Sequence, residues 1–226
     1  MQFTSVDKSQ TTTNLATEAI ASSGQHHEEH PDHRILGVVV FLVAESMIFL
    51  GMFSAYLIYR AMSAQWPPEG IERELLLPGI NTLILISSSF VMNRGNKAIK
   101  NDDQAGLRVW FAATAIMGAI FLAGQVYEYS NLEFGLTTNL YASCFYVLTA
   151  FHGLHVTFGV LLISGVLVRS AKDGHYTKDS HFGPEAAELY WHFVDVIWII
   201  LFILLYLLWA YSTVNVFCQP PLQGFF

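Results

Sequence analysis

Five apolar stretches, at about 35–59, 75–92, 107–129, 141–168 and 189–211, alternate along the chain with short polar ones. The first holds roughly 25 residues, or ~37 Å of helix at ~1.5 Å per residue, enough to cross a ~30 Å hydrocarbon core with some tilt. The fourth is longer and predicts tilt or protrusion. Within the second, Asn81, Thr82 and the run Ser87-Ser88-Ser89 put small polar side chains where a helix packs against other helices. The pattern predicts an all-α integral membrane protein, a bundle of five transmembrane helices over 35–212. A polar tail over 1–34 precedes it, and a tail over 213–226 follows.

The polar stretches read as connections. Trp66-Pro67-Pro68 breaks the helical pattern after the first span. Residues 93–103 read as a polar turn with Arg94, Lys97 and Lys100, and 170–188 as a loop with His175 and His181. The tail is rich in Ser, Thr, Gln and His and lacks the large apolar residues needed to fold alone. It shows no signal-peptide pattern, since the apolar stretch after it is too long for one.

Composition supports the membrane reading. The chain is 53% hydrophobic and only 13% charged, with a mean hydropathy of +0.42, beyond the usual range of soluble domains. The net charge of -7 comes largely from the tail and loops, and gives nucleic-acid binding no support. Cys144 and Cys218 make neither a disulfide framework nor a thiolate metal site. The basic residues are distributed unevenly. Lys8, Arg34, Arg94, Lys97, Lys100, Arg108, Arg169, Lys172 and Lys178 fall on the N-terminal side, and only Arg60 and Arg73 on the other. The positive-inside rule then places the N-terminus in the cytoplasm and the C-terminus outside.

Ionisable residues inside the spans carry the candidate chemistry. Glu45, His152 and His155 fall at ~15, ~24 and ~20 Å from the N-terminal-side ends of their spans, deep enough to meet near mid-membrane. A carboxylate there costs ~2.5–3.5 kcal/mol unless protonated or paired. His152 and His155, three residues apart, share a helix face. Two readings follow: an inter-helix polar clamp, or a site that handles protons or faces a partner. Two imidazoles on one face also make two metal ligands. The further donors would be Glu45, poor for copper, or His192, which this count puts only ~5 Å from its span end. At the start of the fifth span Glu188, His192 and Asp195 share a face, as a helix-end clamp or a proton relay. Glu128, in Tyr127-Glu128-Tyr129, reads as partly desolvated at headgroup level. Trp191 and Trp198 read as packing or interface residues. His26, His27, His30 and His33 are too irregularly spaced to predict a metal site.

Several motifs together resemble subunit III of the haem-copper respiratory oxidases. F-H-G-L-H-V at 151–156 and Y-W-H-F-V-D-V-I-W at 190–198 carry most of the likeness, joined by A-E-S-M-I-F-L-G at 44–51, N-T-L-I-L at 81–85, Y-E-Y at 127–129 and H-F-G-P-E-A at 181–186. The resemblance covers all five spans in order and is closer to cytochrome c oxidases than to quinol oxidases, with a cyanobacterial character. Seven-span members carry two further helices before the first span seen here. The resemblance implies an accessory subunit without haem or copper, which belong to partner subunits, packed beside catalytic subunit I with subunit II in the same complex. It also implies bound phospholipid, support of proton uptake, and a bacterial plasma or thylakoid membrane. Glu45 matches the family's carbodiimide-reactive intramembrane carboxylate, and Arg169 a basic position suited to a lipid phosphate. A related quinol oxidase or nitric oxide reductase subunit shares this pattern. A proton-coupled transporter would show inverted repeats and broken helices, and the five spans show neither.

Overall fold

In a computed structural model the described residues are 33–208, without 64, 69–74, 173–174 and 178–179. Residues 1–32 and 209–226, and with them His26, His27, His30 and Cys218, lie outside the described residues, while His33 and Arg34 of the expected tail begin the first helix. Five helices are long and apolar enough to cross a membrane. They are α1 (His33–Met62), α2 (Leu76–Lys100), α3 (Gln104–Asn131), α4 (Leu140–Ser170) and α5 (Phe182–Phe202), the last running into a π-helical turn, Ile203–Leu207.

Two helices run further than the apolar pattern predicts. The segment read as a polar turn over 93–103 is mostly helix, since α2 continues to Lys100 and the turn shrinks to Asn101–Asp103. The apolar run ends near Met92, but Gly95, Asn96 and Ile99 remain buried at helical spacing on one face. Hydropathy marks where a helix leaves the slab, while its end is set by capping and turn chemistry. Here Asp102 takes a φ of 58°, a left-handed conformation that Asp tolerates. Asp103 then caps α3, its Oδ1 accepting from Gly106 N at 2.8 Å. Likewise α5 begins at Phe182 rather than near 189, with Pro184 in its first turn, where no intrahelical N–H is lost. Asn139 caps α4 through Ala142 N at 2.8 Å.

Helices α2, α3, α4 and α5 close into a ring in which each packs against the next and α5 returns to α2. Helix α1 lies outside the ring along α5. Its buried residues are Leu42, Phe49, Phe53 and Tyr56, a single stripe at seven-, four- and three-residue steps. Phe49 reaches past α5 to α4, 5.2 Å from the Phe151 ring and 4.9 Å from the His155 ring. The rest of α1 presents Leu36, Val40, Phe41, Val43, Met47, Ile48 and Leu50 outward. In hydrocarbon such a surface has no solvation penalty, so association depends on fit and polar contacts.

The ring closes around Trp191. This α5 residue is fully buried, its Nε1 donates to Ser88 Oγ on α2 at 2.8 Å, and its ring lies over Gly118 of α3 and Gly159 of α4. One side chain therefore touches all three other ring helices. Trp198, about two turns along, donates to Thr82 Oγ1 at 3.0 Å. Both tryptophans are core residues, and Ser88 and Thr82 serve as their acceptors.

At the end away from the N-terminus the π-helical turn shifts the register of α5. Leu204 O accepts from Tyr56 OH at 3.1 Å, and Tyr206 OH reaches Glu128 Oε1 and Oε2 at 3.0 and 3.1 Å. Gln125 Nε2 also donates to Glu128 Oε2, at 3.1 Å. Glu128 is only 8% exposed, so the expected half-solvated position is corrected: it is an interior carboxylate with hydrogen bonds from its own helix and from α5. Its neighbours Tyr127 and Tyr129 do not act as a pair, because successive helical residues diverge by ~100°. Tyr127 faces outward, whereas Tyr129 OH bonds Thr149 Oγ1 at 2.6 Å.

Candidate functional site

Glu45 and His155 meet. His155 Nε2 lies 3.2 Å from Glu45 Oε2, joining α1 to α4. The other ring nitrogen, Nδ1, is 2.9 Å from Phe151 O. A carbonyl only accepts, so Nδ1 is the donor to Phe151 O, and Nε2 is the ring nitrogen turned to the carboxyl. Tyr190 OH of α5 donates to His155 O at 3.2 Å, holding the same turn of α4. The pair is 22% exposed at Glu45 and 13% at His155, so it borders the surface of the chain about 18 Å along α1 from His33.

His152 does not join this pair. It is fully buried, its ring stacks on Trp198 at 4.9 Å and meets the Phe121 ring edge-on at 6.0 Å. Neither ring nitrogen finds a hydrogen-bond partner among the described residues. Residues three apart differ by ~60° around a helix axis. On α4 that angle separates the centre of the ring from the groove beside α1, so the three-residue cluster expected from spacing contracts to Glu45 and His155.

A second polar group joins α2 and α5. Ser89 Oγ donates to Asp195 Oδ2 and, with its single proton spent there, accepts from His192 Nδ1 at 2.9 Å. His192 Nε2 lies 3.7 Å from Glu188 Oε1, and Glu188 Oε2 accepts from Asn96 Nδ2. The chain Asn96, Glu188, His192, Ser89, Asp195 therefore runs from near the N-terminal-side end of the bundle to about 20 Å along α5 from Phe182. His192 itself stands about 15 Å along, deeper than the ~5 Å of the sequence count, because α5 begins earlier. The residues missed at the sequence level are Ser89 and Asn96. Both lie on the inner face of α2, and only the packing of α5 shows which serine of the Ser87-Ser88-Ser89 run bridges the pair.

Ser89→Ala removes that bridge and leaves the buried Asp195 Oδ2 and the partly exposed His192 Nδ1 short of a partner. We expect a loss of about 1–3 kcal/mol in bundle stability, read as a lower thermal midpoint in detergent. Ser87→Ala, on the exposed face of the same helix, is the matched control.

Arg169 lies exposed in the last turn of α4. The adjacent loop is tied down by Arg108 donating to Ser170 O and by Gln104 Nε2 donating to Tyr176 O at 3.1 Å. Among the described residues no group of three or more His, Cys, Asp or Glu is placed to hold a metal ion.

Comparison with known proteins decides the family. The model of the family described as cytochrome c oxidase subunit III matches residues 6–211. This chain belongs to that family. It is 71% identical over 183 residues to cytochrome c oxidase subunit 3 of Synechocystis sp., covering 80% of this chain and 78% of the relative. To the subunit 3 of Thermostichus vulcanus it is 60% identical over 194 residues, covering 86% and 96%. A probable subunit 3 of Nocardia farcinica is 38% identical over 206 residues. As a family member it is a membrane subunit of a respiratory-chain oxidoreductase, and its all-helical five-span fold agrees with the sequence reading.

Proposed function

We propose that the chain is the accessory, non-redox subunit of a proton-pumping cytochrome c oxidase that reduces oxygen to water. It would stabilise catalytic subunit I by direct helix packing, with subunit II in the same complex, hold phospholipid through Arg169, and support proton uptake. The observation that carries the proton role is the placement of two acid–imidazole groups, Glu45 with His155 joining α1 to α4 and Glu188 with His192 on α5. Carboxyls and imidazoles in hydrogen-bond or ion-pair reach can pass a proton between them, and intramembrane ionisable residues are rarely kept without use. The redox chemistry belongs to the haem and copper of the partner subunits. By the distribution of basic residues the N-terminus lies in the cytoplasm, and the membrane is the plasma membrane, or the thylakoid membrane in a cyanobacterial cell.

Affinity purification through this chain in mild detergent, followed by a visible spectrum, tests the reading. A haem-containing subunit should co-purify, and a spectrum without haem overturns the assignment. Glu45→Ala should leave assembly and the initial rate of oxygen reduction within about twofold of the unaltered complex, while activity decays sooner during sustained turnover. Loss of the haem spectrum in that variant would instead make Glu45 a structural residue.

A further inference from the structure

The outward face of α2 changes character along its length. Leu76, Ile80, Leu83, Ser87 and Phe90 follow one another at four- and three-residue steps and are all exposed, Leu83 at 66% and Phe90 at 68%. The next two positions in the same stripe are Arg94 and Lys97, also exposed. Arg94 crosses to the neighbouring helix, its Cζ 5.4 Å from the centre of the Trp110 ring on α3. Beside this stripe α3 exposes Val109 and Ile116. The two helices can lie this close because Gly95 faces Phe111, where a Cβ would stand 2.6 Å from the ring.

We propose that this α2–α3 face binds an anionic phospholipid of the leaflet on the N-terminal side, its phosphate held by Arg94 and Lys97 and an acyl chain lying along Phe90 and Leu83. Three observations converge on that occupant. Neither Arg94 nor Lys97 forms an ion pair or side-chain hydrogen bond with another described residue. Asp102 and Asp103, the next acids along the sequence, lie past the end of α2, and Asp103 is engaged as the cap of α3. Arg94 lies over the indole and makes no side-chain hydrogen bond to a described residue, which leaves its N–H groups for the two-point grip a guanidinium makes on a phosphate. The apolar stripe above it from Phe90 to Leu76 is about 21 Å long, more than one ~15 Å leaflet of hydrocarbon. A cation pair at the foot of an outward stripe more than one leaflet high complements a lipid with a negative headgroup, and a zwitterionic headgroup satisfies it less. The site is separate from Arg169, which ends a different helix. The inference rests on the chain spanning a bilayer and is independent of the oxidase assignment.

The test uses the whole complex that co-purifies with this chain, delipidated and exchanged into nanodiscs containing equal phosphatidylglycerol and phosphatidylcholine, with retained lipid counted by native mass spectrometry. The unaltered complex should retain at least one more phosphatidylglycerol than the Arg94→Gln, Lys97→Gln double variant. The apparent affinity for that lipid should fall about tenfold or more, given roughly one decade per basic residue at most near the headgroups. Trp110→Phe, which keeps both cations, should lose severalfold. Equal phosphatidylglycerol retention in the unaltered and double-variant complexes overturns the proposal. So does equal retention of the two lipids by the unaltered complex, or loss of a partner subunit from the double variant with the lipid count unchanged, which would make the face a protein interface. If the double variant does not accumulate, the unaltered complex and Trp110→Phe decide it. Retention that is indifferent to headgroup charge, to high salt and to the indole overturns it. Absence of haem from the unaltered preparation bears on the proposed function and leaves this comparison intact.

Discussion

Trp191→Ala should be the most damaging single substitution in the bundle. The fully buried indole touches α2, α3 and α4 from α5, through Ser88, Gly118 and Gly159. Removing it opens a cavity that neither glycine can fill, and large aromatic-to-alanine changes in packed cores cost about 3–5 kcal/mol. In a bilayer the transfer part of that cost is reduced, since lipid is as apolar as the core, but the lost dispersion contacts remain. It also strands Ser88 Oγ, which donates to Leu85 O at 2.6 Å and accepts the indole N–H. The expected result is a steep fall in the chain recovered in mild detergent and a thermal midpoint lower by many degrees. Trp191→Phe should fall between the two, because the ring volume is partly restored and the hydrogen bond is not. A Trp191→Ala chain that melts within about 2 °C of the unaltered one would show that the ring of helices is held elsewhere.

Gly124→Val should come second, and for the opposite reason. A Cβ at this α3 position would stand 2.8 Å from the Asn81 side-chain carbon, and nearer still to its carboxamide nitrogen and oxygen. Asn81 is 3% exposed, on the inner face of α2, with no free direction in which to retreat. Overfilling a packed site costs about 1–3 kcal/mol, and a β-branched side chain cannot rotate out of the way. The added bulk would push apart the end of the α2–α3 pair where Thr82 holds Trp198 and Gln125 holds Glu128. We expect lower yield and faster exchange of backbone amides in both helices at that end. Replacing Asn81 by Ala in the same chain should recover much of the loss. Additive effects of the two changes would separate them and remove this explanation.

The same contacts show where reading from sequence stops. Span number and order follow from apolar run length, because a helix in hydrocarbon must satisfy its backbone internally and so must be long and apolar. Helix ends do not follow from it. Lys97 and Lys100 belong to α2 and Phe182 to α5, since a helix continues into water wherever one face stays packed. That difference moved His192 from the edge of the bundle to about 15 Å along its helix, level enough with Ser89 to form the hydrogen-bonded chain with Asp195. Glu128 was misplaced for a related reason. Its position in the sequence suits a headgroup layer, but Tyr206, brought round by a π-helical turn that no hydropathy pattern reveals, encloses it.

By itself the sequence determined that this is a five-span membrane protein of a recognisable respiratory family, and which few ionisable residues it carries into the bilayer. Those are properties of composition, length and motif, which need no neighbour to be read. Which of two histidines three residues apart meets Glu45 was decided by tertiary structure alone. So was which serine of three bridges His192 and Asp195. Helical periodicity fixes the angles between side chains on one helix, but the direction in which a neighbour lies is set only when all the helices pack. With a step of ~60° between His152 and His155, that direction separates a ring stacked on Trp198 from one bonded to a carboxyl.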